Sequence, residues 1–139
     1  MKDMASGSCL CGAVRFRIQG LFDHFFLCHC SRCRKDTGAA HAANLFSDTA
    51  RILWLKGQDN VRMFRLPQTR HVKSFCVTCG SALPSLITPS GPLMVPAGSL
   101  DSPVSIRPAA HICFASRADW TDSIDKAPRY AGLPDMPKG

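Results

Sequence analysis

Short runs in which apolar and polar residues alternate are the main pattern of this chain, and they predict strands. In the clearest run, Val14, Phe16 and Ile18 alternate with Arg15 and Arg17, as in a strand with one buried face. Further short strands are predicted at residues 24–27, 41–46, 52–55, 61–66, 86–87, 93–100 and 111–114. We therefore expect a mainly β fold of short antiparallel strands.

Turn residues divide these strands and add two local expectations. Lys56-Gly57 separates residues 52–55 from residues 61–66, so the two strands are expected to pair around a turn. A short helix or turn is expected to end near Gly38. The tail 127–139 contains three prolines and is expected to be extended on the surface.

Length and composition indicate one globular domain, residues 1–139, with a core of about residues 7–134. The chain has 139 residues, of which 45% are hydrophobic. It has no apolar run of roughly 20 residues, the length of a membrane span, and its first residues lack the apolar stretch of a leader. We expect a cytoplasmic protein whose thiols stay reduced, so its eight cysteines read first as metal ligands.

Three cysteines fall within six residues, in Cys28-His29-Cys30-Ser31-Arg32-Cys33. Cys28 and Cys30 share a face of an extended segment, and a helix starting there would put Cys30 and Cys33 on one side of its first turn. Three thiolates leave one corner of a tetrahedral zinc site open, which is the ligand count of a catalytic centre.

Four other cysteines form two pairs, Cys9-Leu10-Cys11-Gly12 and Cys76-Val77-Thr78-Cys79-Gly80. Cys-x-x-Cys-Gly is the turn of a zinc knuckle. Joining the pairs gives a closed four-ligand site and leaves the triplet as an open site, although a histidine could complete the triplet. The eighth cysteine, Cys113, lies between Ile112 and Phe114 and is expected to be a buried apolar residue.

The formal charge of +7 suggests an anionic partner. Seven thiolates and two divalent ions would reduce it to +4. The basic residues are spread along the chain, with no run of five, which makes nucleic acid an unlikely partner.

Taken together, these motifs resemble the glutathione-dependent formaldehyde-activating enzyme family over about residues 7–134. The resemblance is carried by the following segments: Gly7-Ser8-Cys9-Leu10-Cys11-Gly12, Cys28-His29-Cys30-Ser31-Arg32-Cys33-Arg34-Lys35, Phe75-Cys76-Val77-Thr78-Cys79-Gly80-Ser81, Ala97-Gly98-Ser99-Leu100-Asp101, and His111-Ile112 with Ser116-Arg117-Ala118-Asp119-Trp120. In this chain Asp119 stands before the tryptophan, where the family commonly has a proline.

The resemblance implies a β-tent fold and two zinc ions per chain. It implies a structural zinc on Cys9, Cys11, Cys76 and Cys79, and a catalytic zinc on Cys28, Cys30 and Cys33. It also implies carbon–sulfur lyase chemistry, the reversible joining of a thiol such as glutathione to an aldehyde.

The residues themselves add a substrate-binding hypothesis and two alternatives. Arg32, Arg34 and Lys35 follow the triplet closely and could attract the carboxylates of a glutathione-like thiol. A structural zinc-binding or interaction module would keep the metal without an exchangeable ligand, and a nucleic-acid-binding module would bind with a strong salt dependence.

Overall fold

The computed structural model describes residues 4–134 and contains eleven short strands and one α-helix within them. The strands are β1 (Met4–Ser8), β2 (Arg15–Gln19), β3 (His24–Cys28), β4 (Ala42–Ser47), β5 (Arg51–Lys56), β6 (Val61–Arg65), β7 (Val72–Cys76), β8 (Ala82–Leu83), β9 (Ser85–Leu86), β10 (Leu93–Pro96) and β11 (Ala110–Ile112). The helix is α1 (Ser31–Thr37), and 3-10 turns cover Gln58–Asn60, Ala97–Ser99, Phe114–Ser116 and Thr121–Lys126. The mainly β expectation is confirmed.

The strands form three sheets with the orders β1-β2-β5, β11-β3-β4-β10-β9 and β6-β7-β8. Neighbouring strands are antiparallel except β11, which lies parallel to β3. The alternation read from the sequence holds in β2, where Phe16 and Ile18 are buried and the two arginines are exposed.

The core lies between these sheets. Phe16 and Ile18 of β2 meet Leu45 of β4 and Val95 of β10, and all four side chains are fully buried. Trp54 of β5 packs its ring edge-on against Phe16 at 5.9 Å between centroids. Burying one such side chain contributes about 1.5–3 kcal/mol. The core therefore holds the strands whose ends carry the cysteines.

The expected pairing of residues 52–55 with residues 61–66 is wrong. Both strands exist, but β5 pairs with β2 and β6 pairs with β7. Gly57 has a φ of 76°, and a Cβ there would collide with the carbonyl oxygen of Ala13. The chain thus turns through Gln58–Asn60 into a different sheet instead of forming a hairpin.

Two other sequence-based expectations need correction. The strand expected at 93–100 ends at Pro96, because Ala97–Ser99 form a 3-10 turn. Cys113 is exposed, not buried, and its φ of 53° ends β11 after Ile112.

The tail is described only in part. Residues 127–134 contain no helix or strand and are almost entirely exposed, as expected for an extended surface segment. The part of the expected tail at residues 135–139 lies outside the described residues. Between residues 4 and 134, no helix has the length and apolar character needed to cross a membrane.

Candidate metal centres and the adjoining cavity

The four paired cysteines come together in one cluster. The sulfurs of Cys9, Cys11, Cys76 and Cys79 all lie within 4.8 Å of one another. Cys9 Sγ is 3.6 Å from Cys11 Sγ, which is 3.9 Å from Cys76 Sγ. Zinc-bound thiolates in a tetrahedral site are about 3.8 Å apart, so this donor set fits zinc.

Two similar turns build this cluster from distant parts of the chain. The first follows β1, where Gly12 has a φ of 81° and donates its N–H to the Cys9 carbonyl oxygen at 3.1 Å. The second follows β7, where Gly80 has a φ of 76° and donates to the Cys76 carbonyl oxygen at 2.7 Å. Glycine adopts this left-handed conformation without strain, which explains the residue that ends each motif.

Hydrogen-bond donors surround the sulfurs of the closed set. The Val14 N–H donates to Cys9 Sγ at 3.2 Å, and the Asn60 side-chain amide donates to Cys76 Sγ at 3.3 Å. Hydrogen bonding to the side chain and backbone of Ser81 lowers the pKa of Cys79 to about 5. These contacts stabilise thiolates.

The pKa of Cys11 is shifted in the opposite direction from that of Cys79. The Ala13 backbone N–H lowers its pKa, but burial and hydrogen bonds from the other three thiols raise the pKa of Cys11 to about 11. The Cys11 thiol therefore retains a proton that a divalent cation would displace.

The triplet forms a second cluster at the end of β3 and the start of α1. The sulfurs of Cys28, Cys30 and Cys33 also lie within 4.8 Å of one another. Cys30 is the N-cap of α1, and its sulfur accepts the Cys33 N–H at 3.4 Å. The helix starts at Ser31 within the triplet and ends at Thr37 with Gly38 as its C-cap, in agreement with the expected end near Gly38.

Burial and mutual contact decide the protonation of the triplet. Burial, with hydrogen bonds from Cys28 and Cys30, raises the pKa of Cys33. Burial also raises the pKa of Cys28. Burial acts to raise the pKa of Cys30, but hydrogen bonds from the Cys33 backbone N–H, from the Cys33 and Cys28 thiols and from the Arg32 backbone together outweigh it, so the pKa of Cys30 is lowered. The set therefore has one thiol disposed to ionise beside two that are not.

Within residues 4–134, no histidine nitrogen joins the three sulfurs at that spacing. His29 is fully buried, and its Nε2 lies 2.8 Å from Nδ1 of His111. The His41 ring packs against the His29 ring at 5.0 Å between centroids. The possibility that a nearby histidine completes the triplet has no support in this arrangement.

A cavity of about 470 Å³ borders the triplet. Cys28 and Cys33 line it, whereas Cys30 does not. The walls are mostly apolar, with Phe46 from β4, Met94 from β10 and Ile112 from β11. Its volume is in the range of small-molecule sites.

The cations that line this cavity are not those predicted from the sequence. The wall includes Arg70 and His71, which directly precede β7, and Lys73 within β7. Arg32, Arg34 and Lys35 lie on α1 outside the lining, with Arg32 and Lys35 exposed. Arg34 donates its Nε–H to the His29 carbonyl oxygen at 3.4 Å. Sequence reasoning missed residues 70–73 because β7 and the triplet belong to different parts of the fold, β7 in the sheet β6-β7-β8 and the triplet at the end of β3, and they meet only in the folded chain.

Asp36 connects α1 to that wall. One carboxylate oxygen is 2.7 Å from Lys73 Nζ and the other is 2.8 Å from His71 Nε2. Lys73 Nζ also donates to the Asp36 carbonyl oxygen at 2.9 Å. The helix that carries Cys33 is thus tied to β7 by three hydrogen bonds.

Fold and sulfur clusters together define a mainly β protein with two candidate metal centres, one closed by four cysteines and one open beside a cavity. Residues 4–116 match the family model described as "Glutathione-dependent formaldehyde-activating enzyme", and the chain belongs to this family.

Individual proteins are also similar to the chain. A Halomonas elongata protein with the provisional name of glutathione-dependent formaldehyde-activating enzyme is 32% identical over 145 residues, which cover 95% of this chain and 90% of that protein. A crystal structure of a Rhodobacter sphaeroides protein covers 76% of this chain and 98% of its own, with a TM-score of 0.50 and 21% identity. That likeness concerns the fold and supports the β-tent assignment.

Proposed function

We propose that the protein is a zinc-dependent carbon–sulfur lyase that reversibly joins a thiol such as glutathione to an aldehyde. The observation that carries the proposal is the convergence of three cysteine sulfurs beside a cavity that two of these cysteines line, without a fourth protein ligand among the described residues. The family supports it through the substrates in its name.

The reaction needs no oxidant or reductant. The thiol sulfur forms a bond to the carbonyl carbon, the carbonyl π bond breaks, and the thiol proton ends on the carbonyl oxygen. A zinc ion on Cys28, Cys30 and Cys33 would favour the thiolate form of the substrate or polarise the carbonyl.

The chain's own residues would supply binding and exclusion of water. Phe46, Met94 and Ile112 shield the bound substrate from solvent. Arg32, Arg34 and Lys35 are proposed to attract the anionic thiol toward the cavity mouth, acting through their field. Cys9, Cys11, Cys76 and Cys79 are proposed to hold a second, structural zinc. A cytoplasmic location, where thiols stay reduced, is part of the proposal.

The test has two parts. Elemental analysis should find up to two zinc ions per chain, one of which resists chelators because metal binding and folding are coupled. A direct assay should then show adduct formation above the buffer rate with glutathione and formaldehyde or another aldehyde. Zinc without any adduct across several aldehydes would favour a non-catalytic zinc module, and disulfides in place of zinc would end the two-site proposal.

A further inference from the structure

Two cysteines of the triplet line the cavity, and so do the basic residues of segment 70–73, which has no part in the family motifs quoted above. We propose that Arg70 binds the carboxylate of the thiol substrate and makes the site selective for anionic thiols. This inference rests on the proposed function, since it assumes that the thiol sulfur reaches the Cys28 cluster.

The first step is the charge of the wall. Lys73 and His71 are both hydrogen-bonded to Asp36, and the carboxylate of Asp36 compensates the ammonium of Lys73. Arg70 is exposed, and among residues 4–134 no carboxylate lies within salt-bridge distance of its guanidinium. Arg70 is therefore the lining cation whose charge stays available to a ligand.

The second step is the chemistry of the group. A guanidinium presents two parallel N–H donors that match the two oxygens of a carboxylate. The neighbouring apolar walls lower the local dielectric, which strengthens such a pair. The ligand class is a thiol that carries a carboxylate on a flexible chain, either a small mercapto acid or a peptide thiol.

The third step separates Arg70 from the cations of α1. Arg32 and Lys35 are exposed and lie outside the lining, so their attraction acts through water and is screened by salt over about 8 Å at 0.15 M. The carboxylate of a bound thiol can contact Arg70 in the cavity wall directly, at a separation well below this screening length, so salt weakens this pair less. Selectivity that persists in salt is thus the property expected of Arg70.

The experiment measures thiol binding to the zinc-loaded protein by calorimetry in 0.15 M salt. Three probes are used: 3-mercaptopropionate, glutathione and the neutral 2-mercaptoethanol. Arg70→Gln should weaken 3-mercaptopropionate about tenfold, since a hydrogen-bonded ion pair is lost, and should change 2-mercaptoethanol less than about twofold. A loss for glutathione alone would identify a peptide thiol as the anionic ligand.

Two further variants make the result specific. Arg51→Gln removes the same charge from an exposed position on β5 and should leave all three affinities unchanged. Arg32→Gln tests the cations of α1 and should have a smaller effect than Arg70→Gln. An equal loss for the charged and neutral thiols, or a larger loss in Arg32→Gln, would overturn the assignment of Arg70.

Adduct formation measured on the same proteins separates this inference from the proposed function. Charge-selective binding that depends on Arg70, without any adduct formation, would support the carboxylate site and contradict the lyase proposal. Adduct formation that shows no preference for charged thiols and is unchanged in Arg70→Gln would support the lyase proposal and contradict the carboxylate site. Absence of thiol binding in the wild type would overturn both.

Discussion

The sulfur atom of Cys30 has two roles, one in the cysteine triplet and one as the cap of α1. Its sulfur is one of three that converge beside the cavity, and the same sulfur accepts the Cys33 N–H as the N-cap of α1. Serine is among the preferred N-cap residues, so Cys30→Ser removes a thiolate and keeps the cap. This residue therefore allows the metal role to be tested without loss of the helix.

We expect Cys76→Ser and Cys30→Ser to separate structure from activity. Cys76 is fully buried and joins the closed cluster, so its loss should lower the free energy of unfolding by about 3 kcal/mol or more. Cys30→Ser should cost less than about 1 kcal/mol and abolish adduct formation. Thermal and denaturant melts of both variants provide the measurement, with Cys113→Ser, at an exposed position outside both clusters, as control. Equal destabilisation by the first two variants would show that the triplet is structural as well.

Asn60 supports the closed cluster from outside the cysteine motifs. Its side-chain amide donates to Cys76 Sγ at 3.3 Å and to Thr78 Oγ1 at 2.9 Å. We expect Asn60→Ala to reduce the affinity of the closed site about tenfold, the usual effect of losing a hydrogen bond to a metal ligand. Competition with a chromogenic chelator measures it. Thr78→Val, which removes the other acceptor of the amide, is the matched control and should have a smaller effect.

At the scale of elements, α1 depends on β7 for its position. Asp36 and Lys73 are both partly buried, at 16% and 25% exposure, and their ion pair joins the two elements. We expect Asp36→Asn to lower the free energy of unfolding by about 1 kcal/mol, and zinc to leave the triplet faster while the closed site keeps its affinity. Stopped-flow chelation separates the two zinc populations. A double-mutant cycle with Lys73→Met gives the coupling, and a coupling near zero would contradict this role for the pair.

The elements that could be predicted are those that local residues determine. β2 follows from alternation, α1 ends at Gly38 because glycine tolerates its φ of 66°, and both cysteine turns follow from motif spacing. The pairing of β5 and β6 could not be predicted, because Gly57 turns the chain into another sheet through a close contact with Ala13. β1 was not predicted either: four of its five residues are Ala, Gly and Ser, which lack the β-branched and aromatic side chains typical of strands.

The candidate site divides in the same way. The seven clustered cysteines were found from the sequence, because thiol ligands recur at short spacings. The cavity wall was missed, because Arg70 and Asp36 are 34 positions apart and meet at one cavity only in the folded chain. Contacts between distant residues depend on sheet order, which no local pattern of this chain specifies.

On the scale of the whole molecule, three histidines, of which His29 is fully buried, lie together where β3 and β11 are side by side. His29 follows β3 and His111 lies in β11, while His41 precedes β4, and the ring centroids of His29 are 5.0 Å from both others. Nδ1 of His41 is buried and has no hydrogen-bond partner within the described residues. Protonation of these neighbouring imidazoles is therefore unfavourable in the folded protein.

Acid should therefore destabilise the fold through this cluster. Burial, together with the nearby His111, lowers the pKa of His41. In the unfolded chain a histidine has a pKa of about 6.5. Below that pH the unfolded state therefore binds a proton at this residue that the folded state does not bind, which favours unfolding. Stability is full above about pH 6.5 and is lost as the pH falls toward the folded-state pKa.

His41→Phe keeps an aromatic ring and removes the proton site, so its loss of stability between pH 7.5 and pH 5.5 should be smaller than that of the wild type. Denaturant melts at the two pH values, with zinc content measured at each because thiolates also protonate, test this. Equal losses in the variant and the wild type at equal zinc content would mean that acid acts through the thiolates and not through His41.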